Sequence, residues 1–296
     1  MLSNHTDTLL STITDNPAYR LAQEDLSFLA REELRGVRLM VEYLKPDISM
    51  RERHINSTVV VFGSARIKSD EEARELLAQA QSALDRCTDA DNQPALQLAV
   101  KQAEKALHYA RFYEEARHFA QLVSCQFKHD MQRDFVIITG GGPGIMMAAN
   151  QGAFESGCES IGLNITLPHE QQPNPFITPD LAFRFHYFAL RKMHFLIRAR
   201  ALVAFPGGYG TLDELTEALT LIQTRKMDRI PIILFGKSFW DQLLNIPFLV
   251  AEGMISPEDV DLVTYVETAQ EAFQVLQKHY GEDFGYCPVP TPRTAL

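Results

Sequence analysis

The residues best suited to chemistry stand together in Ala204-Phe205-Pro206-Gly207-Gly208-Tyr209-Gly210-Thr211-Leu212-Asp213-Glu214. An apolar run, Ala201 to Phe205, ends in a glycine-rich turn, and a helix-like segment follows at once. Gly207, Gly208 and Gly210 let backbone N–H groups approach an anion closely. The start of the following helix, around Tyr209 and Thr211, adds unpaired donors and the positive end of its dipole. A phosphate suits that turn. Glu214 follows Thr211 by three residues, a carboxylate beside the phosphate rather than on it. That combination suits an enzyme acting on a phosphorylated sugar better than a simple phosphate binder.

Two more glycine-bearing loops follow apolar runs. Gly63-Ser64 comes after Val59-Val-Val-Phe62, and Gly140-Gly-Gly-Pro-Gly144 after Phe135-Val-Ile-Ile-Thr139. Open α/β sheets bind ligands at the carboxyl ends of their strands, so Gly63, Ser64, Gly141, Gly142 and Gly144 are candidate phosphate or nucleotide contacts. One glycine after a strand is often only a tight turn. Three such loops in one sheet favour a nucleotide-type site. None fits the GxGxxG fingerprint and no Walker A sequence is present, which disfavours NAD enzymes and P-loop ATPases.

Arg191-Lys192 opens a helix just after the aromatic cluster Phe185-His186-Tyr187-Phe188, at the same carboxyl edge. An arginine there can make a bidentate contact with phosphate or ribose oxygens, with Lys192 beside it. The plainer alternative is surface charge on an amphipathic helix, and His186 reads as a core histidine. Glu214 has a plain alternative too: Thr211-Leu-Asp-Glu214 fits a capping box with Thr211 as N-cap. A helix start has no need of the double glycine before it. A carboxylate in the first turn also feels the helix dipole, which favours its ionised form. An ionised glutamate suits a base or an oxocarbenium stabiliser better than a general acid.

Seven apolar runs alternating with helical segments supply the frame for these residues. They predict an α/β fold: a Rossmann-like doubly wound parallel sheet of about seven strands, with N-terminal helices and a helical insertion. Residues 1–56 read as a helical extension whose amphipathic stretch Leu26 to Leu44 is stopped by Pro46. Residues 57–280 read as the nucleotide-binding domain. Within it, 70–127 reads as two helices broken near Asp89 to Pro94, longer than a simple crossover needs. Residues 281–296 read as an extended Pro-rich tail. The N-terminal helix and the insertion carry more apolar face than one sheet needs, which points to a homodimer or higher homo-oligomer.

Composition narrows the partners. A net charge of −10 argues against a binder of nucleic acid polymers. No apolar run approaches the roughly 20 residues that span a bilayer. The polar, mixed start of the chain lacks a basic segment followed by an apolar core, so the cytoplasm is the expected location. Cys87, Cys125, Cys158 and Cys287 have no CxxC spacing and read as isolated thiols. The nine histidines form no HExxH or HxH pattern, so no metal and no other cofactor is implied.

Taken together, Gly140-Gly-Gly-Pro-Gly-Ile-Met146 with Ala148-Ala-Asn150, Arg191-Lys192 and Pro206 to Glu214 resemble the Lonely Guy (LOG) family. Gly63-Ser64-Ala65-Arg66 and Leu221-Ile-Gln223 agree with its longer bacterial members, and the resemblance spans about Thr58 to Trp240. It implies a phosphoribohydrolase that cleaves the N-glycosidic bond of a nucleoside 5′-monophosphate, a cytokinin riboside monophosphate or an AMP-like substrate. By position, Arg191 and Glu214 match the family's catalytic pair. Gly141, Gly142, Gly208, Gly210 and Thr211 match its phosphate loops. The family's older label, lysine decarboxylase, finds no lysine in a pyridoxal phosphate setting here. Two alternatives remain open: a non-catalytic nucleotide-binding or sensor protein of the same fold, and a carrier of a phosphorylated or DNA-derived ligand, which the acidic charge disfavours.

Overall fold

The computed structural model describes residues 2–126, 133–166 and 172–281. Phe127, the segment from Pro168 to residue 171, and the tail after Gly281 with Cys287 lie outside the described residues. The chain divides into two compact units, Met1–Lys45 and Pro46–Leu296.

In the first unit, α1 (Leu2–Thr14) is followed by a short 3-10 turn at Pro17–Tyr19 and by α2 (Leu26–Leu29). The Asp25 carboxylate caps α2 by accepting the Phe28 N–H at 3.0 Å. A second 3-10 turn at Glu32–Leu34 leads into α3 (Arg35–Glu52). The single helix expected from Leu26 to a stop at Pro46 is therefore wrong at both ends. It breaks after Leu29, and α3 runs through Pro46. A proline inside a helix loses one backbone hydrogen bond, a cost of about 3 kcal/mol. Pro46 and Met50 are both buried, and that burial offsets the loss. Leu9, Leu10 and Ile13 of α1 are each more than half exposed.

The second unit is built on β1 (Thr58–Phe62), β2 (Val136–Thr139), β3 (Ser160–Ile165), β4 (Ala182–Phe185), β5 (Ala199–Ala204), β6 (Ile232–Phe235) and β7 (Val263–Val266). All pairings are parallel and the order is β4-β3-β2-β1-β5-β6-β7, a Rossmann-like doubly wound sheet. β1, β2 and β6 are buried along their whole length and apolar except for Thr58 and Thr139, as strands covered on both faces should be. The edge strand β4 instead alternates exposed and buried positions.

Between β1 and β2 the insertion forms α4 (Asp70–Asp85), capped by Ser69, and the long α5 (Gln93–Gln126). The buried positions of α5 crowd into its second half, from Ala110 to Ser124. There Ala116, Phe119 and Ala120 join Val59, Ile137 and Val203 in one core layer, with α6 (Ile145–Glu155) and α11 (Ala269–Tyr280). The other face packs Val60, Ile138, Leu202 and Leu234 against α7 (Phe188–Ile197), α8 (Tyr209–Gln223) and Trp240 of α9 (Lys237–Leu243). A short α10 (Ile246–Ala251) precedes β7.

The chain winds from β1 outward to β4, then returns to the other side of β1 with β5. The crevice over the carboxyl ends of β1 and β5 is thus the topological switch point, where open α/β sheets take their ligands. No helix among the described residues is long and apolar enough to cross a membrane.

Candidate functional site

Three loops meet at the switch point. The Ser64 N–H donates to the Pro206 carbonyl at 3.0 Å, and the Ser64 carbonyl accepts from the Ile145 N–H at 3.2 Å. The loop after β1 is thereby tied to both glycine loops. Gly63 and Gly144 make that closeness possible. A Cβ on Gly63 would lie 2.7 Å from the Ile145 side chain, and one on Gly144 only 2.4 Å from the Ser64 carbonyl oxygen. Both glycines answer to contacts within the protein.

Gly208 and Gly210 do not. A Cβ on either would meet nothing within 4 Å. Gly208 has φ −99° and Gly210 is helical, so neither backbone conformation demands glycine. What glycine leaves there is room for a ligand to approach the chain. Gly208 is the N-cap of α8, makes no side-chain cap, and its carbonyl accepts from the Leu212 N–H at 3.0 Å. The N–H groups of Tyr209, Gly210 and Thr211 have no carbonyl of their own helix within reach. Uncapped donors, a positive dipole end and open space are the features an anion site requires. Tyr209 is exposed at its mouth, and the buried Thr211 side chain folds back over Gly207.

This geometry overturns the capping-box reading of Thr211 and Glu214. The helix begins earlier than the sequence suggests, because Tyr209 and Gly210 are already helical. Thr211 is its third residue, Glu214 its sixth, and its first turn holds no acidic residue. At the sixth position Glu214 lies beyond the first turn, where the helix dipole would favour its ionised form. Glu214 is 5% exposed. Burial raises its pKa, and the neighbouring Arg191 only partly lowers it again.

Arg191 reaches Glu214 across the crevice between α7 and α8, Nη2 to Oε1 at 3.4 Å. Its guanidinium carbon lies 5.5 Å from the Phe188 ring centre and 5.6 Å from that of Phe195. Its buried Nε has no hydrogen-bond partner among the described residues. Burial lowers its pKa against the pull of Glu214, yet a guanidinium stays charged in a protein. Two rings and one carboxylate fix its plane, and one long contact does not use up its five donors.

Lys192 behaves differently. Its ammonium bonds Asp213 at 2.6 Å and approaches Glu217 at 3.6 Å. Burial lowers its pKa, but these carboxylates more than reverse the effect. Arg191–Glu214 and Lys192–Asp213 are neighbouring pairs that clamp α7 to α8. His186, expected in the core, is exposed; the buried histidine of this region is His194.

In the loop after β2, Gly141 has φ +72° and its N–H donates inward to the Thr139 hydroxyl at 3.0 Å. Gly142 and Gly144 are the loop's remaining candidates for donation to a ligand. Behind this loop stand Thr139, Asn164 and Asn174, which no motif in the sequence marks, together with Asn150. An asparagine within the small, apolar stretch Ala148-Ala149-Asn150 was the signal available. Among the described residues no cluster of His, Cys, Asp or Glu could hold a metal ion, and none of Cys87, Cys125 and Cys158 is in a disulfide.

The chain is similar to plant enzymes. Cytokinin riboside 5′-monophosphate phosphoribohydrolase LOG1 of Arabidopsis thaliana is 30% identical over 154 residues, covering 50% of this chain and 70% of that protein. LOG3 of the same plant is 29% identical with the same coverage. Among solved structures, the Moco carrier protein of Chlamydomonas reinhardtii is 16% identical with a TM-score of 0.44, covering 77% of this chain and 99% of the other. A family model described as "Possible lysine decarboxylase" matches residues 146–276, from the first turn of α6 into α11 and through both Arg191 and Glu214. The identity to LOG1 extends over more than two thirds of that enzyme, and with the family match it makes this chain a member of the LOG family.

Proposed function

We propose that the protein hydrolyses the N-glycosidic bond of a nucleoside 5′-monophosphate, releasing the free base and ribose 5-phosphate. The observation that carries this reading is a buried arginine–glutamate pair set one helical turn from an open, uncapped helix N-terminus. The 5′-phosphate docks on the N–H groups of Tyr209, Gly210 and Thr211, joined by Gly142 and Gly144 from the neighbouring loop. Binding energy from that remote group holds the ribose against Glu214. As the C1′–N bond lengthens, positive charge builds on the ring, and the Glu214 carboxylate offsets it while orienting the attacking water. The water oxygen bonds to C1′, the bond electrons leave with the base, and the proton lost by water balances the one the base takes up. Arg191 contacts ribose or phosphate oxygens and holds Glu214 in place.

The names of the plant relatives point to a cytokinin riboside 5′-monophosphate as one substrate, and AMP-like nucleotides share the groups used here. The test is incubation of purified protein with AMP, CMP, GMP, IMP and isopentenyladenosine monophosphate. Free base is expected from at least one of them. No base released from any, at enzyme concentrations comparable to substrate, would sink the proposal. One observation favours a non-catalytic nucleotide binder instead: Glu214 already has a partner in Arg191. Nucleotide binding without base release would decide for that second reading.

A further inference from the structure

The loop Gly140–Gly144 is held from behind by a layer of buried amides and hydroxyls. Asn150 is fully buried and uses its whole capacity of two donors and two acceptors. Its Oδ1 accepts from the Thr139 hydroxyl at 2.7 Å and from Asn174 Nδ2 at 3.0 Å. Its Nδ2 donates to the Ser160 hydroxyl at 2.9 Å and the Ile161 carbonyl at 3.4 Å. Asn174, also buried, reaches the loop itself. Its backbone N–H donates to the Gly141 carbonyl at 2.9 Å, and its Nδ2 to the Gly142 carbonyl at 3.0 Å. Asn164 Nδ2 adds a second donor to the Gly141 carbonyl at 3.3 Å. The Asn174 amide has only one workable orientation, because its Oδ1 accepts the Phe176 N–H at 3.2 Å and a flip would set oxygen against oxygen.

A trans peptide carries its C=O and N–H on opposite sides, and no cis peptide is present among the described residues. With the Gly141 carbonyl turned toward Asn174, the Gly142 N–H of the same peptide points the other way. The next peptide has no N–H to offer, since residue 143 is proline, and the Gly141 N–H is held by Thr139. The Asn174 backbone N–H and the Asn164 amide thus select which donor of the loop faces outward. We propose that Asn174 is a positioning residue for phosphate. Its backbone N–H holds the Gly141–Gly142 peptide and its side chain the Gly142–Pro143 carbonyl, so Gly142 is pinned from both sides with its N–H aimed at the 5′-phosphate. Through Asn150, Asn174 shares one buried hydrogen-bond network with β2 and β3. This rests on the proposed function for the identity of the ligand.

The test pairs Asn174→Asp with Asn174→Ala. Both variants keep the backbone bond to the Gly141 carbonyl and release the Gly142 carbonyl, so that Gly142 is pinned from one side only. The aspartate also keeps the shape and the bond to the Phe176 N–H, but sets an oxygen against the Gly142 carbonyl and Asn150 Oδ1. Loss of one aligned, charge-assisted contact predicts about a tenfold or greater rise in KM for the nucleotide and in Kd for ribose 5-phosphate. The kcat should stay within about threefold, because the lost binding is common to ground and transition states. A merely structural role would lower Tm and the active fraction and leave KM alone; that result overturns the proposal. A second measurement needs no variant. In ¹⁵N-labelled wild-type protein, ribose 5-phosphate should shift the Gly142 amide and leave that of Gly141 in place, and the reverse pattern refutes it. Wild-type protein that binds ribose 5-phosphate but releases no base overturns the catalytic reading alone. Wild-type protein that binds none overturns both.

Discussion

Replacing Gly210 by alanine separates stability from binding at a single methyl group. The position is helical and its missing Cβ faces open space. Alanine therefore fits the folded backbone, and helix propensity predicts a gain of about 0.5–1 kcal/mol. A domain of 150–250 residues shifts by about 2–4 °C per kcal/mol, so Tm should rise by about 1–4 °C. The same methyl occupies the approach to the N–H groups of Tyr209, Gly210 and Thr211. A hydrogen bond to a charged group contributes about 1.5–3 kcal/mol, and each 1.4 kcal/mol is about tenfold in affinity. Losing one such bond should raise KM for the nucleotide, and Kd for inorganic phosphate, by about 10- to 100-fold. Thermal melts and steady-state kinetics on the same preparation provide both numbers. A higher Tm with unchanged KM would show that the open space is not the phosphate site. A lower Tm would show that the space is not free.

Three further outcomes follow from the same geometry. Glu214→Gln keeps size and reach and removes only charge, so kcat should fall by at least ~10²-fold, about 2.7 kcal/mol, with nucleotide affinity unchanged or improved; near-normal kcat in folded protein removes Glu214 from the chemistry. Because burial raises the Glu214 pKa above its usual 4.5, activity that needs the carboxylate is lost as pH falls through that raised value. The acid limb of kcat against pH should lie above 4.5 and disappear in Glu214→Gln. The exposed leucines and isoleucine of α1 predict self-association, so light scattering at micromolar concentration should exceed the monomer mass of 33.5 kDa; a strictly monomeric mass refutes this.

The sheet was legible in the sequence because covered strands are continuous apolar runs, and all seven runs became parallel strands. The break between α4 and α5 was legible from Asp89 to Pro94, where polar and proline residues interrupt an alanine-rich stretch. Local rules failed where the environment decides. Pro46 stops a helix in solution but sits inside α3, buried. The Thr211-Leu-Asp-Glu214 spacing imitates a cap, while the true N-cap is a glycine with no side chain to advertise it. The proximity of Arg191 and Glu214 came from matching residues to a family pattern; nothing in their spacing indicates a contact between two helices. The amides behind Gly140–Gly144 come from three separate segments and become one network only on folding.

The strand order also has a consequence for how the chain acquires this site. β1, the strand the whole crevice is built around, pairs Thr58 with Val136 on one side and with Ala199 on the other. Neither neighbour is close in sequence. The insertion helices separate β1 from β2, and most of the remaining sheet is made before β5 arrives. Closing such long loops is entropically unfavourable before any contact compensates for it, and chains dominated by distant pairings fold slowly. The α4–α5 hairpin can form early from local contacts, whereas the switch point must be among the last regions completed. During that interval both edges of β1 are unpaired and its run Val59 to Phe62 is apolar, a template for the wrong strand. The feature that places the site at the centre of the sheet thus predicts slow refolding, with losses that grow with protein concentration.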